Sequence, residues 1–206
     1  FYNKDFVFKK FGKKILKKIN KQIVFFPCYP TKNFFSYKKR HLNFNKINLV
    51  YIGNSPKKNA KANFDTLLYK TLDHITLNKI YLTYLNNPQR YFEKNEYALH
   101  EISKKNKYFR FKKGYLPWEL KNKTTSFNFG IMPFYFSKNY SNEQMEGIST
   151  KIFTYIEQGL PIIVTNKMPS LSDFIEKHEL GIVLKNKYEI TNLKTIIKKY
   201  DYNILI

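Results

Sequence analysis

The sequence predicts an α/β fold: a doubly wound, mostly parallel six-stranded sheet flanked by helices. Two observations predict it. Strand-like and helix-like segments alternate about six times between residues 47 and 200. The strand-like segments are short, apolar on consecutive positions and rich in Ile and Val, as strands are when helices cover both faces of a parallel sheet.

The elements follow in order. Asn48-Leu-Val-Tyr-Ile-Gly53 is an apolar strand ending in Gly, and Asn54-Ser-Pro-Lys-Lys-Asn59 is turn chemistry. Residues 60–76 carry a helical pattern, and Lys79–Leu85 is the second strand. Pro88 to about Lys104 is the second helix. Tyr108–Lys112 is the third strand, followed by a loop at Gly114, and Phe127–Met132 is the fourth. A helix covers about 146–158, where Ile152, Phe153 and Ile156 form the buried stripe and Gly159-Leu-Pro161 ends it. Pro161–Thr165 is the fifth strand. Ser170–His178 is a short helix, with Ser170 and Asp173 in capping-box spacing. Gly181–Leu184 is the sixth strand, and a closing helix covers roughly 189–200.

Before these elements the grammar is different. Residues 1–22 read as a basic amphipathic segment, Ile23–Pro30 as a short apolar run closed by two prolines, and 31–46 as a linker. The expected division is therefore 1–46 and a domain over 47–206. The chain starts at Phe1 and not at Met, which suggests a fragment of a longer product.

Composition narrows the classes. Hydrophobic residues are 43% and aromatics 18%, enough for a core and against a disordered chain. One cysteine, Cys28, excludes a disulfide framework and a Cys-based zinc site. The longest uncharged stretch, Thr124–Ser137, has 14 residues, short of the roughly 18 that a membrane-spanning helix needs. The expectation is a soluble, cytoplasmic protein. The net charge is +22, yet all but three of the 37 basic residues are Lys. Arg is the residue that grips phosphates bidentately and reads bases. Residues 1–50 hold 13 basic residues and one acid, whereas 141–180 carry six acids against three bases. The N-terminal excess reads as a solvated basic face, or as a contact for an anionic membrane surface or polyanion.

Candidate site residues should follow strands, because doubly wound sheets bind ligands at the carboxyl ends of their strands. Gly53 allows a backbone to approach a phosphate, with Lys57 and Lys58 downstream to neutralise it; its bland reading is a plain turn. Gly147, Ser149 and Thr150 fall at a helix start, where free N–H groups suit a phosphate or where Ser and Thr simply cap. Glu146, on spacing alone, is an acid stabilising a helix N-terminus. Trp118, after the third strand, is either a loop anchor or a wall for a planar ring.

The stretch from Glu146 to Val164, with Thr165 to Leu184, resembles the donor-binding half of GT-B glycosyltransferases of the group 1 type. That signature is a Glu, seven residues, a second Glu, then Gly-x-Pro and a Val/Ile-rich strand. Here the first Glu falls on Glu146, the second position on Thr154, and the distal part matches in Gly159-Leu-Pro161-Ile-Ile-Val164 and Gly181-Ile-Val-Leu184. The resemblance covers about 47–200 and implies a Rossmann-like half of a GT-B fold. It implies that Glu146 lies near the transferred sugar, as the catalytic residue. It also implies that the amides of Gly147, Ile148, Ser149 and Thr150 hold sugar or diphosphate. Thr154 takes the ribose-binding position with one hydroxyl in place of a carboxylate, unless Glu157 substitutes. Asn54 stands where the family usually has Arg, with Lys58 nearby, and Gly114, Tyr115 and Leu116 fall where relatives contact the base.

The implied activity is hexosyl transfer from a nucleotide-diphosphate sugar to a polysaccharide or glycolipid acceptor, in polysaccharide biosynthesis. No Asp-x-Asp occurs, so no metal or other cofactor is expected. The expected partners are the sugar donor, a glycan or lipid-linked acceptor, and a missing N-terminal domain of which 1–46 is the remnant. An anionic inner membrane face is a further expected partner. Two other readings stand beside this one. A basic, non-catalytic nucleic-acid or polyanion-binding module would use interleaved residues such as Tyr108-Phe-Arg110-Phe111-Lys112. A degenerate, non-catalytic glycosyltransferase half would explain Asn54 and Thr154.

Overall fold

The computed structural model of the protein describes residues 35, 36, 43, 45–53, 71–89, 97–132 and 150–201. Six strands, β1 (Asn48–Gly53), β2 (Tyr81–Asn86), β3 (Phe109–Lys113), β4 (Phe129–Ile131), β5 (Ile162–Thr165) and β6 (Gly181–Leu184), form one sheet. Every pairing is parallel and the order is β3-β2-β1-β4-β5-β6. This is the order of a doubly wound, Rossmann-like sheet, with its switch point between β1 and β4. The helices are α1 (71–77), α2 (Tyr97–Lys105), α3 (Lys151–Glu157), α4 (Pro169–Lys177), α5 (Lys187–Thr191) and α6 (Leu193–Lys199). The amphipathic segment of 1–22 and the run Ile23–Pro30 lie outside the described residues, as does most of the linker.

Each face of the sheet has its own apolar layer. On one face Leu49, Tyr51, Leu82, Tyr84, Phe109, Phe129, Ile163 and Leu184 pack with Leu72 and Ile75 of α1, Leu99 of α2, Ile190 of α5 and Leu193 and Ile197 of α6. On the other, Val50, Ile162 and Val164 pack with Ile152 and Tyr155 of α3 and Leu171 and Ile175 of α4. All four residues of β5 are buried, because both of its faces are covered. Burying such a side chain fully stabilises by about 1.5–3 kcal/mol, so these two layers hold the strand ends in place.

Three details depart from the sequence reading. β3 is an edge strand that alternates, with Phe109 and Phe111 buried and Arg110, Lys112 and Lys113 exposed. One of its faces is therefore covered, not both. Ser170 and Asp173 do not make a capping box: α4 begins one residue earlier with Pro169, and Met168 is its N-cap without a side-chain bond. Pro favours the first helical position because its φ is already helical and its missing N–H needs no partner there. The closing helix is two helices, broken at Asn192 (φ −104°, ψ 24°). Asn78, beyond α1, satisfies the break: its Nδ2 donates to the Ile190 carbonyl at 3.1 Å and its Oδ1 accepts from the Lys194 N–H at 3.3 Å. Asn186 caps α5, its side chain accepting from the Glu189 N–H at 3.0 Å.

Candidate functional site

The site is built where β1 and β4 part. The two strands stay in register at Leu49↔Phe129 and Val50↔Gly130. Beyond that the ladder is interrupted by a side chain. The Tyr155 hydroxyl accepts from the Ile52 N–H at 3.0 Å and donates to the Ile131 carbonyl at 3.0 Å. One phenol thus replaces a strand-to-strand bond and holds the crevice open. Burial pushes that phenol far above its ordinary pKa, so it stays protonated and keeps its donor. The ring needs room over the sheet, and Gly130 supplies it: a Cβ there would sit 2.4 Å from the Tyr155 ring.

Lys151 opens α3, one turn ahead of Tyr155. Its Nζ donates to the Tyr51 Oη at 3.0 Å and lies 5.1 Å from the Tyr51 ring centroid. A Cβ on Gly53 would meet the Tyr51 Oη at 2.8 Å and the Lys151 Cε at 2.9 Å. The absence of a side chain at Gly53 therefore lets the lysine head reach the carboxyl end of β1. Burial lowers the ammonium pKa to about 8, because a low-dielectric surrounding disfavours the charged form. Tyr51 is held from behind by an edge-to-face stack on Tyr84, at 4.8 Å between centroids, and Tyr84 by Phe111 at 5.1 Å. These rings fix the phenol that fixes the lysine.

The structure sorts the expected site residues. Gly53 lies at the crevice. Thr150 is the N-cap of α3, exposed and without a side-chain capping bond. Thr154 lies three residues after Lys151 on the same helix, a spacing that puts both on one face. Glu157, the other candidate for that position, is buried at the end of α3, three residues after Thr154. Gly114 packs against β2, its N–H donating to the Asn86 carbonyl at 2.6 Å, and a Cβ there would lie 2.4 Å from that oxygen. Tyr115 and Leu116 follow it at the carboxyl end of the sheet. The Leu116 N–H donates to Glu119 Oε2 at 2.8 Å, closing the short 3-10 turn Pro117–Glu119. Trp118 is 63% exposed, so it is not a loop anchor. Asn54, Lys58, Glu146, Gly147, Ile148 and Ser149 lie outside the described residues. Among the described residues, no group of three or more His, Cys, Asp or Glu is placed to hold a metal ion. None of the helices there is long and apolar enough to cross a membrane.

Sequence reading assigned Lys151 no role. A Lys at the start of an amphipathic helix reads as solvent-facing, and only the fold brings it under Gly53 and Tyr51. The available signal was a Gly ending the first strand, two residues after a Tyr.

Residues 50–206 match the family model of the glucosyltransferase 3-like C-terminal domain. The chain belongs to that family. Two solved structures are similar to this glucosyltransferase 3-like domain. One is the C-terminal domain of a glycosyl transferase group 1 family protein, LpcC, from Francisella tularensis: 14% identity, TM-score 0.49, covering 84% of this chain and 89% of that one. The other is alpha,alpha-trehalose 6-phosphate synthase from Burkholderia multivorans: 8% identity, TM-score 0.47, covering 77% of this chain. The chain spans 36% of the length of that synthase. No curated protein sequence matches. The glucosyltransferase 3-like match starts inside β1 and runs through all the later strands. The resemblance to a glycosyltransferase domain, read from the sequence over about 47–200, agrees with this family.

Proposed function

We propose that this glucosyltransferase 3-like domain binds a nucleotide-diphosphate sugar in the crevice between β1 and β4. On this reading it supports metal-independent transfer of the hexosyl group to a polysaccharide or glycolipid acceptor held by a second domain. The observation that carries the reading is the Lys151 ammonium, 3.0 Å from Tyr51 Oη and against Gly53 at the carboxyl end of β1. When the sugar–phosphate C–O bond breaks, negative charge grows on the leaving diphosphate. A preorganised cation in a partly desolvated crevice stabilises that charge more than one in water does. Asn54, Lys58 and the amides of Gly147, Ile148, Ser149 and Thr150 extend the diphosphate site on this reading. Thr154 offers a hydroxyl to the ribose, and Tyr115 and Leu116 line the base. Glu146 faces the transferred sugar. Such an enzyme works in the cytoplasm, at or near the inner membrane face where lipid-linked acceptors lie.

A thermal-shift screen of the chain against UDP-, GDP- and CDP-sugars, with and without EDTA, tests this. A ligand that binds only the folded state raises the melting temperature by mass action. The expected result is a shift selective for one nucleotide class and unchanged by EDTA. No shift with any nucleotide sugar, or a shift abolished by EDTA, would overturn it.

A further inference from the structure

A second cleft, of about 130 Å³, lies at the opposite end of the sheet, where β1, β2 and β3 begin. It is lined by Lys46, Tyr81, Thr83, Tyr108, Arg110 and Ser126 among others, and none of its lining residues is acidic. It opens beside the uncovered face of the β2–β3 edge, where Arg110 and Lys112 are exposed and Tyr81 and Thr83 are partly so. The Tyr81 and Tyr108 rings meet at 5.3 Å with a 57° tilt, making a corner. Lys46 Nζ lies 5.9 Å from the Tyr81 ring centroid and Lys107 Nζ 5.1 Å from that of Tyr108. β1 alone is six residues long, about 20 Å at roughly 3.3 Å per residue, which separates this cleft from the crevice at Lys151.

We propose that this cleft is a secondary binding site for an acidic glycan, holding one carboxylate- or phosphate-bearing sugar unit of a longer chain. Its size decides against a whole nucleotide sugar: pockets for small molecules run to about 300–1,000 Å³. Its charge selects an anion, and the Arg110 guanidinium offers the fork that grips carboxylate or phosphate bidentately. Its hydroxyl-bearing side chains, Thr83, Ser126 and the two tyrosines, suit the hydroxyls of a saccharide. The tilted ring pair decides between a glycan and a single-stranded nucleic acid. Nucleic acid needs aromatic faces set for successive stacked bases, whereas here two rings form a corner and each already has a lysine over it. The site would anchor the growing polymer while its end is processed elsewhere. It rests on the reading of the domain as acting on a glycan acceptor.

Isothermal titration of the full 206-residue chain with an oligogalacturonate tests the proposal. A neutral maltooligosaccharide of equal length and an oligo-dT strand of equal charge are the comparisons. The uronate is expected to bind and the neutral sugar not to. The double substitution Lys46→Ala with Arg110→Ala should weaken uronate binding at least tenfold, while Lys151→Met leaves it unchanged. Both substituted side chains are exposed, so an unchanged melting temperature is the folding control. Equal uronate affinity in the double variant would overturn the proposal, as would tighter binding of oligo-dT than of the uronate to the wild type. Failure of the donor reading shows separately, as loss of the nucleotide-sugar response in a chain that still binds the uronate.

Discussion

At Lys151 two requirements compete: the ammonium must be near enough to the end of β1 to meet a diphosphate, and burial there works against its charge. Its folded pKa of about 8 lies below the roughly 10.4 of an unfolded lysine. Between those values the unfolded chain binds more protons than the folded one, so this residue's contribution to stability rises with pH through that window. Donor binding should move the other way. As pH passes from 7 to 9.5 the cation is lost, and affinity for a nucleoside diphosphate should fall severalfold. Lys151→Arg, which stays charged, should flatten that decline, as calorimetric titration at a series of pH values would read. The residue scale is also where sequence legibility was poorest. Gly53 and Thr154 stand out in the sequence because a strand end and a family motif mark them. Lys151 and Tyr155 do not, because their roles depend on which strands end beside α3. Trp118 reads from sequence as either a loop anchor or a ring wall, and its exposure speaks against an anchor.

Among the elements, the junction of β1, β4 and α3 carries the site. Tyr155 bridges Ile52 and Ile131 through one hydroxyl, and its ring lies on Gly130. Tyr155→Phe keeps the ring and leaves a part-buried N–H and a buried carbonyl without that partner. It should cost about 1–3 kcal/mol, read as a lower urea midpoint with an unchanged denaturant slope. Gly130→Ala forces a methyl into the ring and should cost about 1–3 kcal/mol by overpacking. The double variant should cost less or more than the sum of the two, because the groups touch; strict additivity would separate them. The strands were legible to within about two residues, since runs such as Ile162-Ile-Val-Thr165 are β-branched throughout and bounded by Pro161 and a turn. Element ends were less so. Pro169 started α4 before the expected serine cap, and Asn192 split the last helix because Asn78, far away in sequence, satisfies the broken turn.

For the molecule as a whole, strand order fixes where chemistry can occur. The chain runs outward from β1 through β2 to β3, then returns to the other side of β1 with β4. That reversal leaves the one place in the sheet where adjacent strands send their chains to opposite faces, and Lys151 is set there. The alternation of strand and helix segments made this architecture legible, and the Glu146–Val164 pattern made the family legible. The net charge of +22 pointed less clearly, because it does not say which lysine faces a ligand. The most direct measurement is a calorimetric comparison of wild type and Lys151→Met titrated with the nucleotide sugar that the chain stabilises against. One charge-assisted hydrogen bond is worth about 1.5–3 kcal/mol, so the variant should bind at least about tenfold more weakly while melting at or above the wild-type temperature. Equal affinity in a variant that folds normally would contradict a donor site at the β1–β4 crevice.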